Sequence, residues 1–271
     1  MADVRVRDRL WLWGMRPNVL QQAAEYRKLG FAPSALTVAQ AIARTGIANV
    51  LLAGGLPLTA ATLAALPAAR RLIAKDSLHR HGEDGRPSLA PAAGAAALAA
   101  AKELAAADPR VEAFLLDDFS TGSIAAGAQP AELAALQFRN AVAPPQLPLL
   151  GTVYEMSLED RRLWACLPHF AGFLVPLWHA ADIERFPEYV DRLAALSGGK
   201  PQLACLYLYD FGGGRALTYA QMERQLRVGE ELLRAARICG LCILGTCLLD
   251  QDWEANRCLA DWLEHTGEDG L

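Results

Sequence analysis

The chain has 271 residues, 53% of them hydrophobic, and 26 Lys and Arg against 30 Asp and Glu give a formal net charge of −4. That length and apolar content suit one large α/β domain spanning residues 1–271, and the scattered basic residues argue against a nucleic-acid face. No apolar run reaches the roughly 18 residues of a membrane span, and the charged start "MADVRVRDRLWLWGM" lacks a long apolar stretch, so the expectation is a cytoplasmic protein without a secretory signal.

Short apolar runs and helical patterns alternate along the chain. Strands are expected at "RLWLWG" (9–14), "NVLLAG" (49–54), "RLIAKDS" (71–77), "VEAFLLDDF" (111–119), "LPLLGTVYE" (147–155), "AGFLVPLWH" (171–179), "PQLACLYLYDF" (201–211) and "GLCILGT" (240–246). A long loop (15–36) follows the first strand, is expected to hold a short helix near 19–29, and should wall part of a pocket. Helices are expected from Thr37 as N-cap to Gly46, from Thr59, and through the alanine tract 89–108. Others are expected at 129–142 with Pro130 in the first turn, and at 157–167 with Ser157 and Asp160 as a capping-box variant. Three more close the chain, one of them opening at Thr218. The polar loop "HRHGEDGRPSLAP" after the third strand is expected to be mobile, and "GGGR" (212–215) reads as a flexible turn that could also cradle a phosphate.

Eight nearly continuous apolar strands alternating with helices predict a (β/α)8 TIM barrel, with a doubly wound open sheet as the competitor. The first strand is followed by no glycine fingerprint of a dinucleotide fold. Trp164, Trp253 and Trp262 fall in helical patterns and are expected to pack outside the barrel, the last helix offering a face for a homo-oligomer. Cys166, Cys205, Cys239, Cys242, Cys247 and Cys258 read as free thiols, most of them buried in apolar runs. "CGLC" (239–242) has redox or zinc spacing but no second pair or histidine nearby, so neither metal nor cofactor is expected.

Barrel enzymes work at the C-terminal ends of their strands, and there the charges gather. Trp11, Trp13 and Arg16 end strand one; Lys75, Asp76, Ser77 and His79 follow strand three; Asp117 and Asp118 end strand four. Tyr154 and Glu155 end strand five, Trp178 and His179 strand six, and Tyr207, Tyr209 and Asp210 strand seven, with Arg215 beyond. Aromatic rings stack on the C–H faces of sugars, and paired carboxyls cleave glycosidic bonds, so the partner expected is a small-molecule carbohydrate. Asp118, Asp117, Glu155 and Asp210 are the catalytic candidates. Neighbouring strands lie about 4.8 Å apart, so Asp118 and Glu155 suit the ~5–5.5 Å of a retaining pair, while Asp210, across the barrel, suits the ~6.5–9.5 Å of an inverting one. Alternation along the strand aims only one of Asp117 and Asp118 at the pocket, Asp118 being preferred.

Three other chemistries fit the same tips. Asp118, Glu155, His179 and Asp210 could hold a divalent cation for sugar isomerisation, epimerisation or lysis. Lys75 could form a Schiff base. A barrel that binds sugar without cleaving it would also carry these rings.

Carboxylates at the tips of strands four, five and seven resemble the arrangement of the α-amylase-type barrel glycosidases. That resemblance implies Asp117 or Asp118 as nucleophile, Glu155 as acid/base and Asp210 as transition-state stabiliser. Leu115 or Leu116 stands where that family has an arginine. "WLWG", "FLLDDF" and "YLYDFGGG" also resemble bacterial barrel proteins described as glycosidase-like.

Overall fold

The computed structural model describes residues 4–23, 26–82 and 84–271. Eight parallel strands close into a barrel: β1 (Leu10–Gly14), β2 (Asn49–Leu52), β3 (Arg71–Asp76), β4 (Val111–Leu116), β5 (Leu149–Thr152), β6 (Gly172–Pro176), β7 (Gln202–Tyr207) and β8 (Gly240–Leu244). Each pairs with its sequence neighbours, and β1 meets β8 with Trp11 opposite Cys242 and Trp13 opposite Leu244. All eight strands fall within the stretches expected from sequence. All but β1 end sooner, because the chain turns as soon as it clears the hydrogen-bonded ladder.

The helices between them are α1 (Val38–Thr45), α2 (Ala60–Ala64), α3 (Pro91–Ala107), α4 (Pro130–Ala141), α5 (Arg161–Cys166), α6 (Phe186–Ser197), α7 (Tyr219–Arg234) and α8 (Glu254–His265). Local chemistry sets their ends. Thr37 and Gln40 form a capping box at the start of α1, and Gly46 ends it in the left-handed region. Pro130 opens α4, and Thr218 with Gln221 opens α7. α2 is shorter than its apolar pattern suggests, since Pro67 cannot continue a helix. At α5 the cap is Asp160 alone: its carboxylate accepts the Arg162 N–H at 2.9 Å, while Ser157 ends the preceding 3-10 turn.

Two loops differ from expectation. The stretch after β3 forms a hairpin, His79–His81 against Pro87–Leu89, rather than a mobile loop; Glu83 at its tip lies outside the described residues. "GGGR" closes a second hairpin, Tyr209–Asp210 against Arg215–Ala216. The loop after β1 holds a short helix, Val19–Gln22, and a 3-10 turn, Arg27–Leu29. The six cysteines are free, and all but Cys239 are buried. No helix of the described residues is long and apolar enough to cross a membrane.

Closure of the barrel is tight at the foot of β8. A side-chain carbon added at Gly240 would lie 2.5 Å from the Arg9 carbonyl oxygen and 3.0 Å from Leu203. Neither backbone nor core can give way cheaply there, so Gly240→Ala is expected to destabilise the fold by about 1–3 kcal/mol. Urea unfolding of the variant checks this; an unchanged midpoint would mean that the β1–β8 seam is looser than its packing implies.

Candidate active site

A cavity of about 260 Å³ opens at the C-terminal mouth of the barrel. Its floor comes from strand tips: Trp13 of β1, Lys75 of β3, and Leu244 of β8, with Asp117 just beyond β4 and Tyr207 closing β7. These positions follow from the pleat. Side chains alternate across a strand, so the inward row that contains Ala113 and Leu115 continues to Asp117.

Asp118 should then point away from the cavity, yet it lines it too. The reason is a backbone turn. Asp118 has φ 46° and ψ 35°, the left-handed conformation, which aspartate tolerates better than most L-residues. The strand ends two residues earlier, at Leu116, and the turn swings the second carboxyl back over the first. Alternation holds through Asp117, whose N–H still bonds the Asp76 carbonyl at 2.8 Å, and fails at Asp118.

The two carboxyls have different partners. Asp117 forms an ion pair with Lys75 through Oδ2, while its Oδ1 accepts the Asp118 N–H at 3.0 Å and the Thr152 hydroxyl at 3.3 Å. Asp118 Oδ1 accepts the Tyr154 hydroxyl at 2.8 Å. Burial, and then the negative charge of Asp117, push the Asp118 carboxyl up to about 6, against the pull of the tyrosine hydrogen bond and Lys75. Burial alone would lower Lys75, but Asp117, with Asp118 and Asp76 behind it, outweighs that, and the amine is held above its ordinary range. Burial also lifts the Tyr154 and Tyr207 hydroxyls well above theirs, so both remain protonated donors.

Aromatic rings wall the space. Tyr154 meets Trp178 edge-on at 5.8 Å, and Trp178 stacks on Phe211 at 5.4 Å. Tyr207 and Tyr26 pack against Phe211 at 5.3 and 5.8 Å. Met15, Val19, Leu20, Ala23 and Tyr26 come from the loop after β1, so that loop does form a wall. Two aromatic lining residues, Phe211 and Tyr26, are not among the candidates read from the strand tips. Phe211 follows "YLYD" directly, and its aromatic neighbours were the signal available.

The structure therefore gathers Asp117, Asp118, Lys75, Trp13, Tyr154, Trp178 and Tyr207, and leaves the other candidates outside the cavity. Asp210 sits beyond the end of β7, in the hairpin, where its Oδ1 accepts the Gly213 N–H at 2.8 Å. Glu155 opens the 3-10 turn Glu155–Ser157. Its carboxyl is raised chiefly by burial and then by Asp182, against the pull of His179 and a backbone hydrogen bond from Trp178, and its Oε2 is buried without a hydrogen bond. Neither carboxyl lines the cavity with the β4 aspartates. His179 is exposed, its ring against Gly212. Arg16 and Arg215 are exposed, and Trp11 lies deeper in the barrel with Arg71 over its ring at 4.9 Å. Tyr209 packs behind the cavity with Phe31 and Trp253. Trp253 is thus the residue preceding α8 and part of this aromatic roof, not a ring on the outer helix face. Among the described residues no three His, Cys, Asp or Glu side chains converge as a metal-ligating group.

No protein-family model matches the chain, and no curated protein matches it in sequence. In fold it is similar to the glycoside hydrolase family 17 β-1,3-glucanosyltransferase from Rhizomucor miehei, with a TM-score of 0.54 and 12% identity over 88% of this chain and 86% of that one. Weaker likenesses run to the PgaB (BpsB) glycoside hydrolase domain from Bordetella bronchiseptica (TM-score 0.46, 11% identity, 98% and 92% covered) and to EDTA monooxygenase (EmoA) from Chelativorans (TM-score 0.44, 12% identity, 95% and 92% covered). At 12% identity the likeness to the glucanosyltransferase is one of fold alone.

Proposed function

We propose that the chain is a carbohydrate-active hydrolase whose catalytic carboxyls are Asp118 and Asp117. The observation that carries this reading is a carboxyl raised to about 6, Asp118, beside a lysine-paired aspartate in a cavity walled by aromatic rings. Glycoside cleavage needs one carboxyl protonated and one charged, and divided environments are how proteins keep such a pair. The fold neighbour that acts on β-1,3-glucans is in keeping with it.

In this mechanism a sugar ring lies against Trp13 and Trp178 with its glycosidic oxygen toward Asp118. Asp118 gives its proton to that oxygen as the bond to the anomeric carbon breaks, and the leaving alcohol departs neutral. Positive charge develops on the ring. Asp117, held by Lys75 and Thr152, lies on the same side and stabilises it electrostatically. Water adds to the anomeric carbon, and the Asp118 carboxylate takes its proton, restoring the acid. Glu155 and Asp210 have no part in this scheme. Lys75, held charged by Asp117, is a poor Schiff-base amine, since that chemistry needs the neutral form.

A panel of aryl glycosides tests the assignment. Wild type should cleave at least one of them, Asp118→Asn should lose about 10²–10⁴-fold in kcat with little change in KM, and Glu155→Gln and Asp210→Asn should stay within a few-fold of wild type. Full activity in Asp118→Asn would overturn the assignment. Sugar binding without turnover in wild type would make the chain a binding barrel.

The acid must be protonated to act, so the rate should fall as pH rises through about 6. A rate that climbs through that range instead would show that the group is needed as a base.

The same carboxyl leaves a mark on stability. Its folded value lies above the ordinary 3.8, so between about pH 4 and 6 the folded state keeps a proton that the unfolded chain has released, and stability falls as pH rises. Asp118→Asn removes this penalty and suits a left-handed position. At pH 8 the variant should be more stable than wild type by roughly 1–3 kcal/mol, nearer the lower figure because the carboxyl keeps some solvent contact, and the gap should close by pH 4. Urea unfolding at the two pH values measures it, and a gap independent of pH would contradict the raised carboxyl.

A further inference from the structure

The turn that swings Asp118 into the cavity is gripped from behind by a neighbouring loop. A left-handed φ of 46° is disfavoured for an L-residue and persists where the surroundings impose it. The Asp118 carbonyl accepts the N–H of Gly122 at 2.7 Å and of Ser123 at 3.2 Å, closing the turn Phe119–Ser123. Both of those residues meet His79. Its Nδ1 lies 3.1 Å from the Ser123 hydroxyl in a buried hydrogen bond. Its ring lies so close to Gly122 that a side-chain carbon there would come within 2.2 Å. His79 is buried and starts the hairpin after β3, outside the cavity lining.

The turn is braced on its other side as well. The Ser120 hydroxyl accepts the Tyr154 N–H at 3.0 Å, and Tyr154 is the residue whose own hydroxyl bonds to Asp118. His79, the turn and Tyr154 therefore form one connected frame around the carboxyl.

We propose that His79 is a positioning residue for Asp118: through Gly122 and Ser123 it fixes the left-handed turn that places the second aspartate in the cavity. Its effect on rate rests on reading Asp118 as the acid; its effect on the carboxyl's environment does not. The charged and titratable groups that act on His79 are His81, whose ring meets it edge-on at 5.1 Å, together with Asp117, Arg80 and Lys75.

The test is a carbon-13 NMR titration of aspartate side-chain carboxyls, with the Asp118 signal assigned by its loss in Asp118→Asn. Wild type should titrate at about 6. In His79→Ala the turn loosens, water reaches the carboxyl, and the midpoint should fall by about one unit or more. On whichever aryl glycoside is cleaved, kcat should drop about tenfold or more while KM moves less than about threefold, as expected for a displaced acid. His79→Asn, which keeps a donor near the Nδ1 position, should recover part of both. A folded His79→Ala whose Asp118 midpoint stays at the wild-type value overturns the proposal. If that variant does not fold, Ser123→Ala removes the hydrogen bond while leaving the ring, and a wild-type midpoint there and in His79→Asn overturns it equally. If wild type cleaves no glycoside, the hydrolase reading falls while the titration still decides the role of His79.

Discussion

Lys75 pairs with Asp117 and not with the adjacent Asp118, and this ion pair gives different partners to two neighbouring carboxyls that line one small cavity. Burial, and after it the charge of Asp117, raises the Asp118 carboxyl. The ion pair in turn depends on sheet register. β3 and β4 pair with Lys75 opposite Leu115, which sets the amine beside the next inward residue of β4. A slip of one residue would send Lys75 to the helix side of the sheet and leave both aspartates without a counter-charge. The packing of the barrel thus fixes a protonation state, and that state defines the chemistry available.

Aromatic rings pack around and behind the same pair. Phe31 meets Tyr209, Phe211 and Trp253, while Tyr209 and Phe211 meet each other, so the rings behind the cavity form one packed group. Phe211 carries this order forward to Trp178 and Tyr207, which face the cavity. The loop after β1 contributes at both levels, Tyr26 at the cavity and Phe31 behind it. On the proposed reading, rings already packed against one another would lose little freedom on binding a sugar, whose C–H faces stack on such a surface. The same rings contribute to the burial that raises Asp118.

How much of this was legible in the sequence depends on whether a local rule still held at the residue in question. Strand existence was legible, because parallel strands buried on both faces are continuous apolar runs. The strand-tip candidates Trp13, Lys75 and Tyr207 were legible too, whereas alternation was expected to admit one aspartate, Asp118 by preference, and both line the cavity. Legibility ended where the chain left the ladder. Asp118 enters the cavity through a left-handed residue that no periodicity encodes. Asp210 reads as the continuation of "LYLYD" but belongs to a hairpin, where it binds the Gly213 amide. Glu155 lies one residue past Tyr154, and the 3-10 turn that begins there carries it toward His179 and Asp182. The hairpin at His79–His81 reads as a mobile polar loop, because its anchor is a contact with Gly122 and Ser123 more than forty residues away.

These departures change the kind of site that the barrel builds. Carboxyls on opposite strands would flank a bond from two sides, as the strand tips alone suggested. On the proposed reading, adjacent residues at one strand end would present an acid and a charge to the same side of a substrate, leaving its other faces to aromatic rings. A site of that kind needs no matching carboxylate across the mouth, and Glu155 and Asp210 lie outside the cavity lining. It does need the second aspartate turned inward against its backbone preference, which is why the frame of His79, Ser123, Ser120 and Tyr154 around one strained residue matters more to this cavity than any group on the facing strands.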